Sequence, residues 1–423
     1  MTDGRSGASR RSFLATGAAL GGTALAGCLT GSGSGENTVK LGIIEDRSGN
    51  FALNGTPKYQ ASMLAIEELN EEGGILGNEI ETFAPDPQSD NQRYQQLTRQ
   101  AINEENVDAL WAGYSSATRE TIRPIIDQNE QLYFYTTQYE GGVADSYTFC
   151  MGATARQQLG SVFPYMVENF GSDVYTIAAD YNFGQLSADW VRVLADEHDA
   201  NVIGEEFIPL SVTDFGSTIN NIQDADPDFV MALLVGANHT SFWSQRSSAG
   251  LDIPMGTSTV MAQGYQHKRL DAPAMKDVYG GFNYMEELPT SRNEEFVSRF
   301  YEKFPEASYI NEEAVNNYFS IKMYAQAAEA VGSTDQADII EELEKGMDVA
   351  APEGDISLQG PVHHMTHNMR VFHCDENHNI TVKDEQMIPE QFLSETVDVD
   401  LAEEDETTQY VPANFYEEAD TTK

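Results

Sequence analysis

Strand-forming and helix-forming segments alternate along most of the chain, and this alternation limits the possible folds more than any other feature of the sequence. The apolar run Val39-Lys40-Leu41-Gly42-Ile43-Ile44 predicts a first strand, and apolar residues at helical spacing over 61–69 predict the helix that follows. Further strands are predicted over 80–84, 108–113, 132–135, 174–179, 202–207, 229–234 and within 255–264. Helices are predicted over 94–105, after 115–118, and over 157–169, 185–197, 217–223, 239–249, 294–303 and 312–331. A closing pair of strands is predicted within 363–382.

This order predicts an α/β protein, because strands that alternate with helices form parallel sheets covered on both faces. The chain of 423 residues exceeds what one hydrophobic core usually supports. We therefore expect two doubly wound parallel-sheet lobes. Beyond residue 27 no apolar run is long enough to cross a bilayer.

The first 37 residues have the composition of an export leader followed by a tether. Ser9-Arg10-Arg11-Ser12-Phe13-Leu14 matches a twin-arginine signal, and the apolar run to residue 27 is too short to span a membrane. Leu25-Ala26-Gly27-Cys28 resembles a lipobox, in which Cys28 receives lipid. We expect residues 1–27 to be removed, residues 28–37 to be a flexible tether, and the protein to act at the outer face of the membrane. Paired arginines before an apolar run also occur by chance. They are rarely followed, in this order, by a short apolar run, a lipobox and a flexible tether.

The charge is strongly acidic, with 24 basic and 68 acidic side chains giving a net charge of −44. Concentrated salt screens such self-repulsion, so the composition is typical of salt-adapted, haloarchaeal-like surfaces. Intrinsic disorder is the competing interpretation, but 40% hydrophobic residues argue against it. Nucleic acid is a poor partner for a protein with this negative charge, because its phosphates are also negative.

No set of residues in the sequence predicts catalysis, a cofactor or a metal site. No glycine-rich nucleotide motif, nucleophile elbow or paired acid occurs in a convincing setting. His363-His364 with His367 allows a metal interpretation, but structural histidines are the favoured one. Cys150 and Cys374 are compatible with a disulfide in an extracellular setting, and the sequence cannot show whether they are close.

Hydroxyl and aromatic residues follow successive predicted strands, where parallel sheets place their ligands. These loops are Tyr114-Ser115-Ser116, Thr136-Thr137-Gln138-Tyr139-Glu140 and Asp180-Tyr181-Asn182-Phe183-Gly184. Packing explains any one of these aromatic residues taken alone. Their shared position favours a binding site.

The same loops carry a family resemblance that covers residues 41–382. The chain resembles type I periplasmic-binding-fold receptors of the urea and short-chain amide branch. The stretches that carry it are Tyr114-Ser115-Ser116-Ala117-Thr118-Arg119, Gln138-Tyr139-Glu140-Gly141, residues 152–158, Ala351-Pro352-Glu353-Gly354 and His363-His364-Met365-Thr366.

The resemblance implies a receptor that captures a small solute and delivers it to the permease and ATPase subunits of an ABC importer. It also implies three crossovers near Thr154, Met285 and Val362. Lobe one would comprise 38–153 with 286–361, and lobe two 154–285 with 362–400, followed by an acidic tail over 401–423. Closure would be a hinge motion around the solute.

Carried over by position, the resemblance implies a pocket whose members share hydroxyl, amide, carboxylate or aromatic groups. They are Tyr114, Ser115, Ser116, Tyr135, Thr137, Gln138, Tyr139, Glu140, Tyr181 and Phe183. Urea offers one acceptor and two NH2 donors, so Glu140 can accept while hydroxyls do either. A salt bridge or helix cap is an equal alternative for Glu140, and outward packing is the favoured alternative for Tyr139.

The sequence departs from the amide branch after the first strand of lobe two. Asp180-Tyr181-Asn182-Phe183-Gly184-Gln185 is closer to branched-chain amino acid receptors. An amino acid needs an anionic partner for its ammonium group, and the loop 261–265, where such receptors often place a carboxylate, has no acid. Urea or a short amide is therefore the first expectation and an amino acid the second. A cytoplasmic ligand-sensing regulator on the same fold is a third, opposed by the leader.

Overall fold

A computed structural model describes residues 38–419, in which strands and helices alternate along the chain. The strands are β1 (Val39–Ile44), β2 (Ile80–Phe83), β3 (Ala109–Ala112), β4 (Tyr133–Tyr135), β5 (Val143–Asp145), β6 (Thr148–Cys150), β7 (Asp173–Ala179), β8 (Asn201–Ile208), β9 (Phe229–Leu233), β10 (Met255–Thr257), β11 (Val278–Phe282), β12 (Met347–Ala351), β13 (Gly354–Gln359), β14 (His364–Cys374), β15 (Ile380–Ile388) and β16 (Thr407–Gln409). The helices are α1 (Ala52–Glu71), α2 (Asn91–Asn103), α3 (Ser116–Asn129), α4 (Ala155–Phe170), α5 (Asn182–Glu197), α6 (Gly216–Ala225), α7 (Gly236–Ser248), α8 (Gln266–Arg269), α9 (Ser291–Lys303), α10 (Glu312–Val331) and α11 (Gln336–Leu343).

The predicted α/β class with mostly parallel strands is confirmed. Helix α10 has the predicted bounds because both ends carry clear signals. The side chain of Asn311 accepts a hydrogen bond from the Ala314 amide at its start, and Gly332 takes a left-handed conformation at its end. Strand β3 is buried along its whole length, as expected for a parallel strand covered on both faces.

The sheet consists of two parallel strand groups that share one long strand. The first strand group has the order β2-β1-β3-β4-β6, and the second has the order β8-β7-β9-β10-β11. All neighbouring strands within each group are parallel. In each group the loops after the strands consequently lie along one edge.

Strand β14 joins the two groups. Its first residues pair with β6 and β13, and Arg370–Cys374 at its other end pair with β11. The closing strands predicted within 363–382 correspond to β14 and β15, which form an antiparallel pair. One backbone segment therefore takes part in both halves of the sheet.

Strand β11 was absent from the sequence prediction because Val-Tyr-Gly-Gly-Phe contains two glycines, which weaken a strand pattern. The structure gives a reason for the second glycine. A Cβ atom on Gly281 would lie 2.1 Å from the backbone oxygen of Gln158 in α4. The absence of a side chain thus lets a helix pack directly on the strand.

The acidic C-terminal segment is folded onto the rest of the chain as far as residue 419. Strand β16 pairs antiparallel with β5, and the ring of Tyr416 lies 5.6 Å from that of Trp190 in α5. Leu401 and Ala419 are buried. A few apolar residues spaced widely in an acidic stretch are enough to hold it in place.

Cys150 and Cys374 are both free and buried. Cys150 pairs with His364 at the start of β14, and Cys374 is the last residue of that eleven-residue strand. At about 3.3 Å per residue the two cysteines are roughly 33 Å apart, whereas a disulfide requires Cα atoms within about 7 Å. The disulfide that the sequence left open cannot form.

The leader over 1–27, Cys28 and the tether over 28–37 lie outside the described residues, as do residues 420–423. Within residues 38–419, no helix combines the length and the apolar character needed to cross a bilayer.

Candidate ligand-binding cleft

A cleft of about 810 Å³ lies where the loops of the two strand groups face each other. The loops after β1, β2 and β3 line one side, and those after β7, β8, β9 and β10 line the other. This is the position at which open parallel sheets bind their ligands. The lining includes Asn50, Phe51, Asn54, Ser89, Tyr114, Ser115, Thr118, Tyr181, Leu210, Val235, Thr259, Gln263 and Arg269.

Three of the ten predicted pocket residues, Tyr114, Ser115 and Tyr181, line the cleft directly. Tyr114 packs against Phe51, with ring centroids 4.9 Å apart. Ser115 is the N-cap residue of α3, and its hydroxyl makes no capping hydrogen bond. Helices α3 and α5 both begin beside the cleft, so their first-turn amides bring partial positive charge to it.

Glu140 lies at the junction of three parts of the chain, and four side chains donate hydrogen bonds to its carboxylate. Ser116 Oγ donates at 2.5 Å and Arg119 Nη2 at 2.7 Å, both from α3. Asn182 of α5 donates at 2.9 Å and Gln409 of β16 at 2.8 Å. Both carboxylate oxygens therefore accept hydrogen bonds from the protein. Glu140 forms the salt bridge that the sequence analysis gave as the alternative to contact with a ligand.

Tyr135 and Tyr139 are fully buried behind the cleft around Arg119. Their rings meet edge to face at 5.8 Å, and the guanidinium carbon of Arg119 lies 5.0 Å and 4.5 Å from the two ring centroids. The Tyr139 hydroxyl is 2.5 Å from Nε2 of His364 at the start of β14. Tyr139 thus packs inward and links α3 to the strand shared by both groups.

Thr137 and Gln138 are also buried beneath the cleft. Thr137 Oγ1 donates to the Gly113 carbonyl at 3.0 Å and accepts from Lys58 Nζ at 3.0 Å. Lys58 pairs in turn with Glu45 at 3.0 Å, and neither side chain is exposed. Burial raises the pKa of Glu45 to about 7, against the lowering effect of Lys58. The side-chain oxygen of Gln138 finds no hydrogen-bond partner among residues 38–419.

Phe183, the remaining predicted residue, is buried on α5 with its ring centroid 6.1 Å from that of Tyr181. The structure therefore brings the predicted residues together in two shells. Tyr114, Ser115 and Tyr181 meet the cleft, while the others form the layer that holds them. The sequence analysis placed all ten residues in one pocket and did not separate the two layers.

Two adjacent acids that the sequence analysis did not select lie directly behind the cleft wall. Glu312 and Glu313 begin α10, and both are fully buried. Glu313 Oε2 accepts from Asn54 at 3.4 Å and from Asn311 at 3.2 Å. Glu312 Oε1 accepts from Gln263 and, at 3.4 Å, from Gln158. The only signal in the sequence was a pair of acids at the start of a helix, where acids commonly serve the helix dipole.

Each of these acids retains an oxygen with no hydrogen bond. Oε2 of Glu312 and Oε1 of Glu313 have no partner within the described part of the chain. Burial raises the pKa of Glu313 to about 8, opposed in part by the charge of Lys58 and the hydrogen bond from Asn54. Burial and then the charge of Glu313 raise the pKa of Glu312 well above the usual glutamate range. Buried acceptors without donors are sites where a ligand group gains most.

The tyrosine hydroxyls of the cleft lie within the electrostatic reach of Glu313. Burial and then the charge of Glu313 raise the pKa of Tyr114 well above its ordinary value. Burial is also the main cause of the raised pKa of Tyr181, and the charges of Glu140 and Glu313 add to it. The charge of this carboxyl group therefore acts on tyrosines from both sides of the cleft.

The loop over 261–265 supplies Gln263 and Gly264 to the cleft. Its lack of an acid was the reason for preferring a neutral amide. In the structure Gln263 contacts Glu312 directly, so an acid from α10 lies beside this loop. Arg269, just after this loop, gives the cleft a cationic side chain.

His363, which precedes β14, and His367 on β14 are held by other protein groups. Nδ1 of His367 is 3.0 Å from Glu353, and Nδ1 of His363 is 3.0 Å from the Asp145 carbonyl. No group of three or more metal-ligating side chains occurs over residues 38–419.

Two parallel strand groups that share one strand, with a cleft lined from both, define a solute-binding protein of the type I periplasmic-binding fold. Comparison with known families agrees. The chain belongs to the periplasmic binding protein family, whose model matches residues 38–379.

Curated relatives are distant but match over most of their length. The chain is 23% identical over 349 residues to the Leu/Ile/Val-binding protein homolog 6 of Brucella abortus (strain 2308), covering 81% of this chain and 88% of the relative. It is 22% identical over 242 residues to homolog 7 of Brucella melitensis, covering 53% of this chain and 59% of that protein.

Solved structures share the fold at low sequence identity. An amino acid ABC transporter substrate-binding protein from Pseudomonas fluorescens Pf-5 has a TM-score of 0.76 at 17% identity, covering 85% of this chain and 98% of that one. A leucine-, isoleucine-, valine-, threonine- and alanine-binding protein from Brucella ovis in the closed conformation has a TM-score of 0.75 at 18% identity, with coverage of 83% and 95%. A Rhodopseudomonas palustris solute-binding protein in complex with 3,4-dihydroxybenzoic acid has a TM-score of 0.73 at 20% identity, with coverage of 83% and 97%. One fold thus serves solutes of different chemistry.

Proposed function

We propose that this protein is the extracytoplasmic receptor of an ABC importer and captures a small polar nitrogen compound between two lobes. The observation that carries the proposal is the cleft, because loops from both strand groups line it with aromatic, hydroxyl and amide groups. Family membership supports binding rather than catalysis as its role. Its partners would be the solute and the permease and ATPase subunits.

The proposed lobes are 38–153 with 286–361, and 154–285 with 362–400. The strand pairing supports this division, since β13, which carries β12 at its other edge, pairs with the first residues of β14, and β11 pairs with the last residues of β14. Helix α10 packs on α1, which supports its assignment to the proposed first lobe. Closure would bend the chain at the crossovers and change the cleft width. Strand β14 is shared by both groups, so this strand must accommodate such a motion.

Among nitrogen compounds, the contacts favour a solute with an amino group, such as a branched-chain amino acid. Glu312 and Glu313 provide the acidic partner, while Arg269 and the first turn of α3 provide groups that attract a carboxylate. The names of the curated relatives point in the same direction. Tyr114, Ser115 and Tyr181 would contact the solute, supported by Ser116, Tyr135, Thr137, Gln138, Tyr139, Glu140 and Phe183.

Urea or a short-chain amide remains the second candidate. A specific observation favours it: burial raises the pKa of Glu313 to about 8, so this acid is largely neutral at pH 7. A neutral carboxyl group can both donate to an amide oxygen and accept from its NH2 group.

Calorimetry in concentrated KCl with leucine, acetamide and urea tests the proposal. Concentrated salt is used because the net charge is −44. We expect one class of solute to bind, with thermal stabilisation of about 2.7 kcal/mol at a solute concentration a hundred times the Kd. Tyr114→Ala should weaken binding, while Tyr165→Ala, on α4 against Tyr279, serves as a matched control outside the cleft. Binding of none of these solutes would count against the receptor assignment.

We further propose that twin-arginine export and lipidation of Cys28 hold the receptor at the outer face of the membrane. Fractionation of cells that express the protein or Cys28→Ser tests this. The variant should leave the membrane fraction for the medium. If both forms stayed in the cytosol, a cytoplasmic ligand-sensing regulator would replace the importer component.

A further inference from the structure

We propose that Glu313, backed by Glu312, is the group that binds a protonated amino group of the solute. The inference rests on the proposed receptor function and names the chemistry of its site. It assigns the acid of the site to the start of α10 rather than to the loop over 261–265.

Glu312 and Glu313 lie close behind the cleft wall. Asn54 and Gln263 line the cleft from opposite strand groups, and each donates directly to one of the two acids. Glu313 and Glu312 therefore lie directly behind residues that line the cleft, and each is joined to one of those residues by a hydrogen bond. Asn54 also donates to the Gln263 backbone carbonyl at 3.3 Å, so a solute amino group that took the place of this contact would reach the two carboxyl groups.

The two acids have unfilled hydrogen-bonding capacity. Glu313 Oε1 and Glu312 Oε2 are buried acceptors that no donor in residues 38–419 reaches. An ammonium group carries three donors and no acceptor, so it matches a set made of acceptors. Once Glu313 is ionised, a carboxylate or phosphate group would meet repulsion from the same atoms.

Glu45, Glu312 and Glu313 are all buried, and Lys58, whose charge acts on Glu45 and Glu313, already pairs with Glu45. Lys58 Nζ also donates to the Gly113 carbonyl and Thr137 Oγ1, so its donors are committed. A buried carboxylate without a cation is unfavourable unless it is protonated or a ligand supplies the positive charge.

The inference requires that binding be linked to a proton. Burial raises the pKa of Glu313 to about 8, so an arriving ammonium group must displace its proton at neutral pH. Affinity should rise as the pH increases toward 8, and binding at pH 7 should release close to one proton. The charged and titratable groups that face Glu313 are Lys58 on α1, Glu45 after β1, Glu312 on α10, Tyr114 after β3, Tyr135 on β4 and Tyr181 after β7.

The test is calorimetry on the exported protein in concentrated KCl with a panel of L-amino acids, their analogues that have no amino group, urea and acetamide. Each titration is run at pH 7 in two buffers of different ionisation enthalpy, which reports the protons released. Glu313→Gln keeps the shape and removes the charge. Glu390→Gln is the matched control, because Glu390 is also a buried acid but hydrogen-bonds to the amides of Phe392 and Leu393, away from the cleft.

We expect an amino acid to bind with proton release, and its analogue without the amino group to bind at least tenfold more weakly. Glu313→Gln should weaken binding about a hundredfold and abolish the proton release, while Glu390→Gln binds as the parent protein does. Amino acid binding that Glu313→Gln leaves unchanged, or binding of urea or acetamide alone, would overturn the inference and leave the receptor function standing. Failure of the whole panel to bind would remove the receptor function and the inference with it.

Discussion

The junction at Glu140 gives the sharpest prediction about stability. Glu140→Ala removes the partner of Arg119, and both side chains are 0% exposed. Breaking a buried ion pair from one side typically costs about 3–5 kcal/mol, because the remaining charge is left without compensation. Arg119 keeps its contact with Glu120 at 2.8 Å, so we expect a loss of about 3 kcal/mol in the free energy of unfolding.

The magnitude depends on burial, and the chain provides a control for that. Glu120 pairs with the same arginine, but its side chain is 37% exposed. Glu120→Ala should therefore cost less than about 1 kcal/mol. In the double variant Arg119→Met with Glu140→Leu, apolar side chains replace the pair and should recover most of the loss, since such replacements are often neutral.

Guanidinium chloride unfolding in concentrated KCl, followed by tryptophan fluorescence, measures all three variants. Trp190 is a local probe, because its indole nitrogen donates to the Glu140 carbonyl at 3.1 Å. Equal losses in Glu140→Ala and Glu120→Ala, or no recovery in the double variant, would refute the reasoning that a desolvated charge dominates this junction.

Three further predictions concern the rest of the fold. Deleting residues 406–423 removes β16 and its pairing with β5, and should lower the thermal unfolding midpoint by several degrees, at about 2–4 °C per kcal/mol; an unchanged midpoint would mean that this segment adds nothing. Burial lowers the pKa of His364 to about 3, so between pH 6.5 and 3 the unfolded chain binds the extra proton and stability should fall by up to about 1.4 kcal/mol per pH unit as the pH decreases; His364→Gln should show a shallower slope, and an equal slope would contradict this origin. Cys150 and Cys374 should react with a thiol reagent only after unfolding, and a mass that shows them joined would contradict their separation along β14.

Local signals predicted the architecture well. The order of strands and helices identified the α/β class, and the apolar runs located most parallel strands, because strands buried on both faces are continuous in sequence. The bounds of α10 followed from Asn311 and Gly332, whose side-chain and backbone preferences act within a few residues. The strands that were missed are short, contain glycine, or depend on a distant partner, as β16 does on β5.

The candidate site shows the same division between features that follow from local sequence and features that depend on distant segments. Loops after strands are adjacent at one edge of a parallel sheet, so their sequence was enough to select Tyr114, Ser115 and Tyr181. The sequence could not show that Glu140 would be met by four donors from three separate segments. Nor could it show that Glu312 would reach a loop almost fifty residues earlier in the chain, or that Glu313 would accept from Asn54.

The sequence by itself determined the class of fold and the acidity of the whole molecule, and it predicted the edge of the sheet where a solute would bind, because these depend on local periodicity and composition. Only the tertiary structure decided which acids are engaged and which keep a free oxygen. The physical reason is that the state of a carboxyl group depends on desolvation and on donors supplied from remote segments. Both arise only when the two strand groups come together.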